Sequence, residues 1–171
     1  MSPLEIPTSA GTLHRYEYFP SQLVPVRHCD VWLPPGYAAA DGLRYPVVYM
    51  PDGQNLFLPG YSLSGQSWGI DHAVARLMGE GRISGAIVVG IWNTGDSRWA
   101  EYLPQKPVGT ADAYKIAERY PALKPGDMRA DAFLRFVVKE LMPFIDASYR
   151  TRAGRSGTSM MGSSLGALIS L

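Results

Sequence analysis

Apolar residues in this chain fall in short runs, and the spacing inside the runs changes along the sequence. Thr12 to Phe19 mixes β-formers with polar residues and predicts an edge strand. From Val26 to Leu33, Val26, His28 and Asp30 alternate with Arg27, Cys29 and Val31. This second predicted strand closes at Pro34-Pro35-Gly36. Val47-Val48-Tyr49-Met50 and Ile87-Val88-Val89-Gly90-Ile91 show no alternation, which predicts strands buried on both faces, as in a parallel sheet. The first of these runs breaks at Pro51-Asp52-Gly53. Between them Ile70, Val74, Leu77 and Met78 keep helical spacing, with Ser67 as the expected N-cap and Gly79 and Gly81 as exits. Asn93 to Pro107 reads as a long loop, and Ala111 to Tyr120 as a short helix. Phe133, Phe136, Val137, Leu141, Phe144 and Ile145 form one apolar helical stripe, expected to be capped by Asp131 and kinked or restarted at Pro143. Thr158 to Met161 predicts a third buried strand, and Leu165 to Leu171 the first turns of another helix. Alternation of strands and helices from Pro46 onward points to an α/β fold with a parallel sheet.

Composition narrows this picture without changing it. A length of 171 residues suits one domain, and 46% apolar with 18% charged residues is ordinary for a soluble globular chain. A formal net charge of +1 offers no field to steer nucleic acid or an anionic membrane, so neither is expected as a partner. Cys29 is the one cysteine, which excludes an intrachain disulfide. No basic start followed by an apolar run opens the chain, and no stretch approaches the ~20 apolar residues of a membrane span. The expectation is a cytoplasmic protein. Neither repeats nor the phosphate, dinucleotide or zinc-protease motifs occur, and no paired Cys or His spacing supports a metal. No cofactor is expected.

The chemistry concentrates at Gly162-Ser163-Ser164-Leu165-Gly166, a G-x-S-x-G pattern. The pattern alone is a weak signal, because glycine and serine are common. Here an apolar strand precedes it, and the helix-forming Ala167-Leu168-Ile169 follows. A serine on such a strand-to-helix turn has its Oγ lifted clear of the sheet. The amide of Leu165 then lies at a helix start, where it can stabilise an oxyanion. The competing structural reading is a serine N-cap at a glycine-rich turn.

Several segments together resemble the Putative esterase (esterase D-like) family, which contains enterochelin esterases, feruloyl esterases and related acyl hydrolases. They are Val26 to Tyr37, ending Leu33-Pro34-Pro35-Gly36-Tyr37; Asp52-Gly53-Gln54-Asn55-Leu56-Phe57; Arg98-Trp99-Ala100-Glu101-Tyr102; Glu140-Leu141 with Pro143, Ile145-Asp146 and Tyr149; and the elbow, where Leu165 replaces methionine. The resemblance implies an α/β-hydrolase-type, mostly parallel sheet flanked by helices, with Ser164 as nucleophile. It also implies that the loop at Asp52-Gly53-Gln54 supplies the second oxyanion amide, from Gln54 with Gly53 as the neighbouring alternative. Arg98 and Glu101 would pair beside the mouth of the site or contact the substrate, a small-molecule ester. Trp68, Trp92 and Trp99 are expected to pack in the core or at the rim rather than to line a pocket.

A serine needs a base, and α/β-hydrolases place the acid and then the histidine after the nucleophile. Only seven residues follow Ser164, none of them acid or histidine, and His14, His28 and His72 all lie upstream. Residues 1–171 therefore read as a single α/β-hydrolase domain, cut after the nucleophile elbow and not expected to turn over an ester alone. Two other readings stay open: complementation by a second chain, and a non-catalytic binding protein on the same scaffold. A homo-oligomer also stays open.

Overall fold

The computed structural model describes residues 1–105 and 127–171. The helix expected over Ala111 to Tyr120 and the last residues of the expected Asn93 to Pro107 loop lie outside them. Six strands form one sheet: β1 (Leu4–Pro7), β2 (Thr12–Phe19), β3 (Arg27–Leu33), β4 (Val47–Pro51), β5 (Ile87–Ile91) and β6 (Thr158–Met160), in the order β1-β2-β3-β5-β4-β6. β5, β4 and β6 run parallel, while β1, β2 and β3 pair antiparallel, β3 doing so against β5 as well. Among the described residues five α-helices accompany them: α1 (Ile70–Gly79), α2 (Arg98–Tyr102), α3 (Ala130–Phe136), α4 (Met142–Ser148) and α5 (Leu165–Ser170). This is the α/β-hydrolase-type architecture that the sequence implies.

The unalternating runs explain the layers. In β5, Ile87, Val89 and Ile91 face a core shared with Phe133, Phe136, Val137, Leu141 and Ile145. Val88 faces the opposite side, with Leu13, Trp32, Met50, Leu56 and Phe57, and Ile70 and Val74 of α1 pack there. Helices thus cover both faces, and strands between them need apolar residues at every position. The α3 stripe continues through a π-helical turn, Val137–Leu141, directly before α4, where Pro143 sits in the first turn. The missing proline N–H and the ring are accommodated by this wide turn, so the chain restarts without leaving its stripe. Cys29 is fully buried in β3, and burial pushes its thiol pKa up, which makes it a small core residue.

Five local expectations are corrected. The strand expected to be buried at Thr158 to Met161 is β6, Thr158–Met160, which lies at the end of the strand order with Ser159 exposed and Thr158 and Met160 half-buried. Thr12–Phe19 is not the edge, because β1 pairs outside it; β1 is short, largely exposed and carries Pro7, features that suit an outermost strand. The N-cap of α1 is Gly69 in a left-handed conformation (φ 62), not Ser67. Arg129 occupies the cap position of α3, and Asp131 lies in its first turn, where its charge still favours the helix dipole. The segment after β5 is not a plain loop: a 3₁₀ turn, Gly95–Ser97, leads into α2. A five-residue helix has little stability of its own, and burial of Glu101 and Tyr102 secures it.

Candidate active site

The carboxyl ends of the three parallel strands lie side by side, which is where open α/β sheets place their ligands. β4 and β6 are in register at Tyr49 and Met160, and the Met161 N–H donates to the Tyr49 carbonyl at 3.0 Å. The chain after β6 turns sharply into α5, with Ser164 at the junction at φ 56, ψ −125. A non-glycine residue in that region is strained by about 1–3 kcal/mol, and such strain gathers at functional sites. Ser164 is exposed, and its Oγ has no hydrogen-bond partner among the described residues.

The flanking glycines follow from contact distances. A Cβ on Gly162 would lie 2.5 Å from the Gly166 carbonyl carbon and 2.6 Å from its oxygen. A Cβ on Gly166 would lie 3.1 Å from Asp52 Oδ2 and 3.4 Å from Pro51 Cβ, so the elbow is seated on the end of β4. Gly162→Ala is expected to destabilise the chain by about 1–3 kcal/mol, since backbone and not a flexible side chain must give way. A urea unfolding midpoint equal to that of the parent would refute this.

After β4, Asp52 adopts a left-handed conformation (φ 63, ψ 39) and opens a 3₁₀ turn, Gly53–Asn55. Gly53 lies against the backbone of β5, where a Cβ would come 2.5 Å from the Gly90 carbonyl carbon. Gln54 is buried, and its Oε1 accepts from the Asn93 N–H at 3.3 Å. Among the described residues neither the Gln54 N–H nor the Leu165 N–H has an acceptor.

Arg98 and Glu101 do not pair with each other. Arg98 donates from Nε to Asp52 Oδ1 and from Nη2 to Asp52 Oδ2, both at 2.7 Å. Hydrogen bonds to Asp52 raise the Arg98 pKa against the opposing effect of burial. Glu101 turns the other way. Its side chain has 0% exposure and accepts from Arg27 Nη2 at 2.6 Å and Nη1 at 3.0 Å. A carboxylate so enclosed is placed for architecture. The helical spacing of Arg98 and Glu101 put them on one turn, but packing against the sheet gave each a different partner.

Three residues of the site were not singled out from the sequence in these roles. Asp52 is 2% exposed yet holds Arg98. Asn93 Nδ2 donates to Asp52 Oδ1 at 2.7 Å. The Tyr102 hydroxyl accepts from the Asp52 N–H at 3.2 Å, and burial, followed by the Asp52 charge, pushes the Tyr102 pKa far up, which keeps the phenol neutral. For Asn93 the available signal was its position just past the end of a buried parallel strand. Trp92, beside it, donates to Asp30 Oδ2 at 2.9 Å, and Trp99 packs partly buried against the core. Trp68 is 39% exposed. The three histidines are engaged elsewhere: His14 with the Tyr149 hydroxyl, His28 with the Tyr18 N–H and His72 with the Ser9 hydroxyl. Among the described residues no helix is long and apolar enough to cross a membrane, and no group of three or more His, Cys, Asp or Glu could hold a metal ion.

Comparison with known proteins agrees with this geometry. Residues 21–171 match the family described as Putative esterase. The chain belongs to that family. It is 27% identical over 161 residues to the uncharacterized protein YjcH of Bacillus subtilis, covering 94% of this chain and 55% of that protein. An IroE-like serine hydrolase from Shewanella oneidensis superposes with a TM-score of 0.57 at 28% identity, over 92% of this chain and 43% of the hydrolase. A ferulic acid esterase from Anaeromyces mucronatus shares the fold, with a TM-score of 0.53 at 22% identity, over 97% of this chain and 51% of the esterase. The chain thus spans about half the length of the relatives it matches. As a member of the Putative esterase family it has the G-x-S-x-G serine in the strained turn, at the carboxyl edge of the sheet.

Proposed function

We propose that this chain carries the nucleophile half of a serine ester hydrolase. The backbone of Ser164, at φ 56 and ψ −125 between β6 and α5, carries the reading. A plain serine N-cap has extended backbone and a side chain bonded to the helix amides, and Ser164 has neither. In the proposed reaction Ser164 Oγ attacks the carbonyl carbon of a small-molecule ester, and a base takes the hydroxyl proton. The N–H groups of Leu165 and Gln54 hold the oxyanion, the alcohol leaves with a proton, and water releases the acyl group from Ser164. With all three histidines engaged elsewhere, this reading assigns base and acid to sequence that follows Ser164 in the complete protein, in the order usual for α/β-hydrolases.

The test uses the full-length gene product. A fluorophosphonate probe is expected to modify one serine, mapped by peptide mass to Ser164, and to block p-nitrophenyl acetate hydrolysis. Labelling elsewhere, or turnover that survives in Ser164→Ala, would remove the reading.

A further inference from the structure

The residues that hold the Gln54 turn in place are not needed to explain the fold, and they converge on one carboxylate. Asp52 is the last residue before that turn, and its charge is almost wholly withdrawn from solvent. It accepts both arms of the Arg98 fork and the Asn93 side-chain amide, all at 2.7 Å, and its own N–H donates to Tyr102. Asn93 follows β5, and Arg98 and Tyr102 belong to α2. On its remaining side Asp52 Oδ2 faces Gly166 of the nucleophile elbow, so closely that a single added methyl group would lie 3.1 Å away. One carboxylate at the end of β4 thus ties the segment after β5, through Asn93, to α2, through Arg98, and faces the start of α5. Among the described residues the N–H groups of Gly53, Gln54 and Leu165 have no acceptor; Gln54 lies two residues along the chain from Asp52, and Leu165 one residue from Gly166.

We infer that Asp52, clamped by Arg98, is the positioning residue of the oxyanion site. This rests on the esterase reading above. The left-handed backbone of Asp52 aims the turn, a conformation that aspartate enters at small cost and that its hydrogen bonds hold in one orientation. Five hydrogen bonds to one residue, the Asn55 N–H to the Asp52 carbonyl at 2.9 Å among them, supply that constraint. Asn93 adds a second tie, because its N–H also bonds the Gln54 side chain. Arg98 has an electrostatic task too. A bare carboxylate beside the elbow would repel the negative charge that develops on the substrate oxygen, and Arg98 neutralises it with a fork that also fixes its orientation. Arg98 therefore acts through Asp52 and not by touching the substrate.

A distinctive consequence is non-additivity. Arg98→Met removes the clamp and leaves the anion beside the oxyanion site, whereas Arg98→Met with Asp52→Asn removes the anion as well. In the full-length gene product, Arg98→Met is expected to lower kcat on p-nitrophenyl acetate about 10²-fold, the range seen when one oxyanion donor is lost, with KM within about threefold. Affinity for phenylboronic acid, whose serine adduct places an oxygen in the oxyanion site, should fall in proportion to kcat/KM. The double variant should recover part of the loss, and Arg98→Lys, which keeps the charge without the fork, should lie between Arg98→Met and the parent. Thermal melting of each variant confirms that folded protein is compared. A rise in KM with unchanged kcat would overturn the inference in favour of substrate contact. So would boronate affinity that stays at the parent value, or a double variant slower than Arg98→Met. Should Arg98→Met not fold, Arg98→Lys decides by the same kcat and boronate readings. If Ser164→Ala keeps full turnover, the esterase reading itself has failed; if it is dead while the Arg98 variants match the parent, only the positioning role has.

Discussion

Ser164→Gly is expected to abolish ester hydrolysis in the full-length gene product and to make the protein more stable. Loss of a serine nucleophile lowers turnover by about 10⁴-fold or more in enzymes of this mechanism, effectively to background. The stability gain follows from φ 56, ψ −125, a region that glycine enters freely and serine does not. Relief of about 1–3 kcal/mol of strain is partly offset by the greater freedom of glycine in the unfolded chain, about 0.5–1 kcal/mol. Ser164→Ala provides the control, since alanine is as inactive as glycine but meets the same backbone strain. The two variants should differ in unfolding free energy by about 1 kcal/mol in favour of glycine. Identical urea midpoints for the two would mean that the elbow stores no strain.

Removing the Glu101 carboxylate is expected to act on stability and not on substrate affinity. Glu101 and Arg27 have side-chain exposures of 0% and 1%. The Arg27 guanidinium lies over the rings of Phe133 and Phe136, 5.4 and 5.3 Å from their centroids. Among the described residues its Nε already lacks a partner. Glu101→Ala would leave a guanidinium buried with no counter-charge, a change that costs about 3–5 kcal/mol where one member of a buried pair is removed. The same principle predicts that Arg27→Met combined with Glu101→Leu is far milder, because no charge is then stranded. Equilibrium unfolding of the single and double variants checks both statements. An unchanged unfolding midpoint with an altered KM would return Glu101 to the substrate-contacting role that its sequence neighbourhood suggests.

Periodicity made the centre of the parallel half of the sheet readable: β4 and β5 were visible because strands covered on both faces tolerate few polar positions, whereas β6, Thr158–Met160 at the end of the strand order, leaves Ser159 exposed and is not the buried strand its run suggests. The short outer strand β1 was not visible, since an exposed edge imposes no pattern on Leu4–Pro7. Caps were misplaced at Ser67 and Asp131 because capping is a matter of backbone conformation. The left-handed residue at Gly69 fulfilled that condition where the serine did not. Helix α2 escaped notice because its five residues are too few to show a period.

The candidate site divides along a similar line. The sequence by itself determined the strand-to-helix turn at Ser164, where the need for glycine at 162 is local because a Cβ there would meet the Gly166 backbone, while the need at 166 comes from Asp52 and Pro51 at the end of β4. It also determined that Asp52-Gly53 breaks the strand before Gln54. What only the tertiary structure decided is who partners whom. Arg98 and Glu101 lie three residues apart on one short helix, and sequence spacing suggests a pair. Packing of that helix against the sheet instead turned Arg98 to Asp52 at the strand ends and Glu101 inward to Arg27. Charge pairing depends on which strand ends are brought side by side, and that is fixed by contacts between residues as far apart in sequence as Asp52 and Gly166, not by any spacing along the chain.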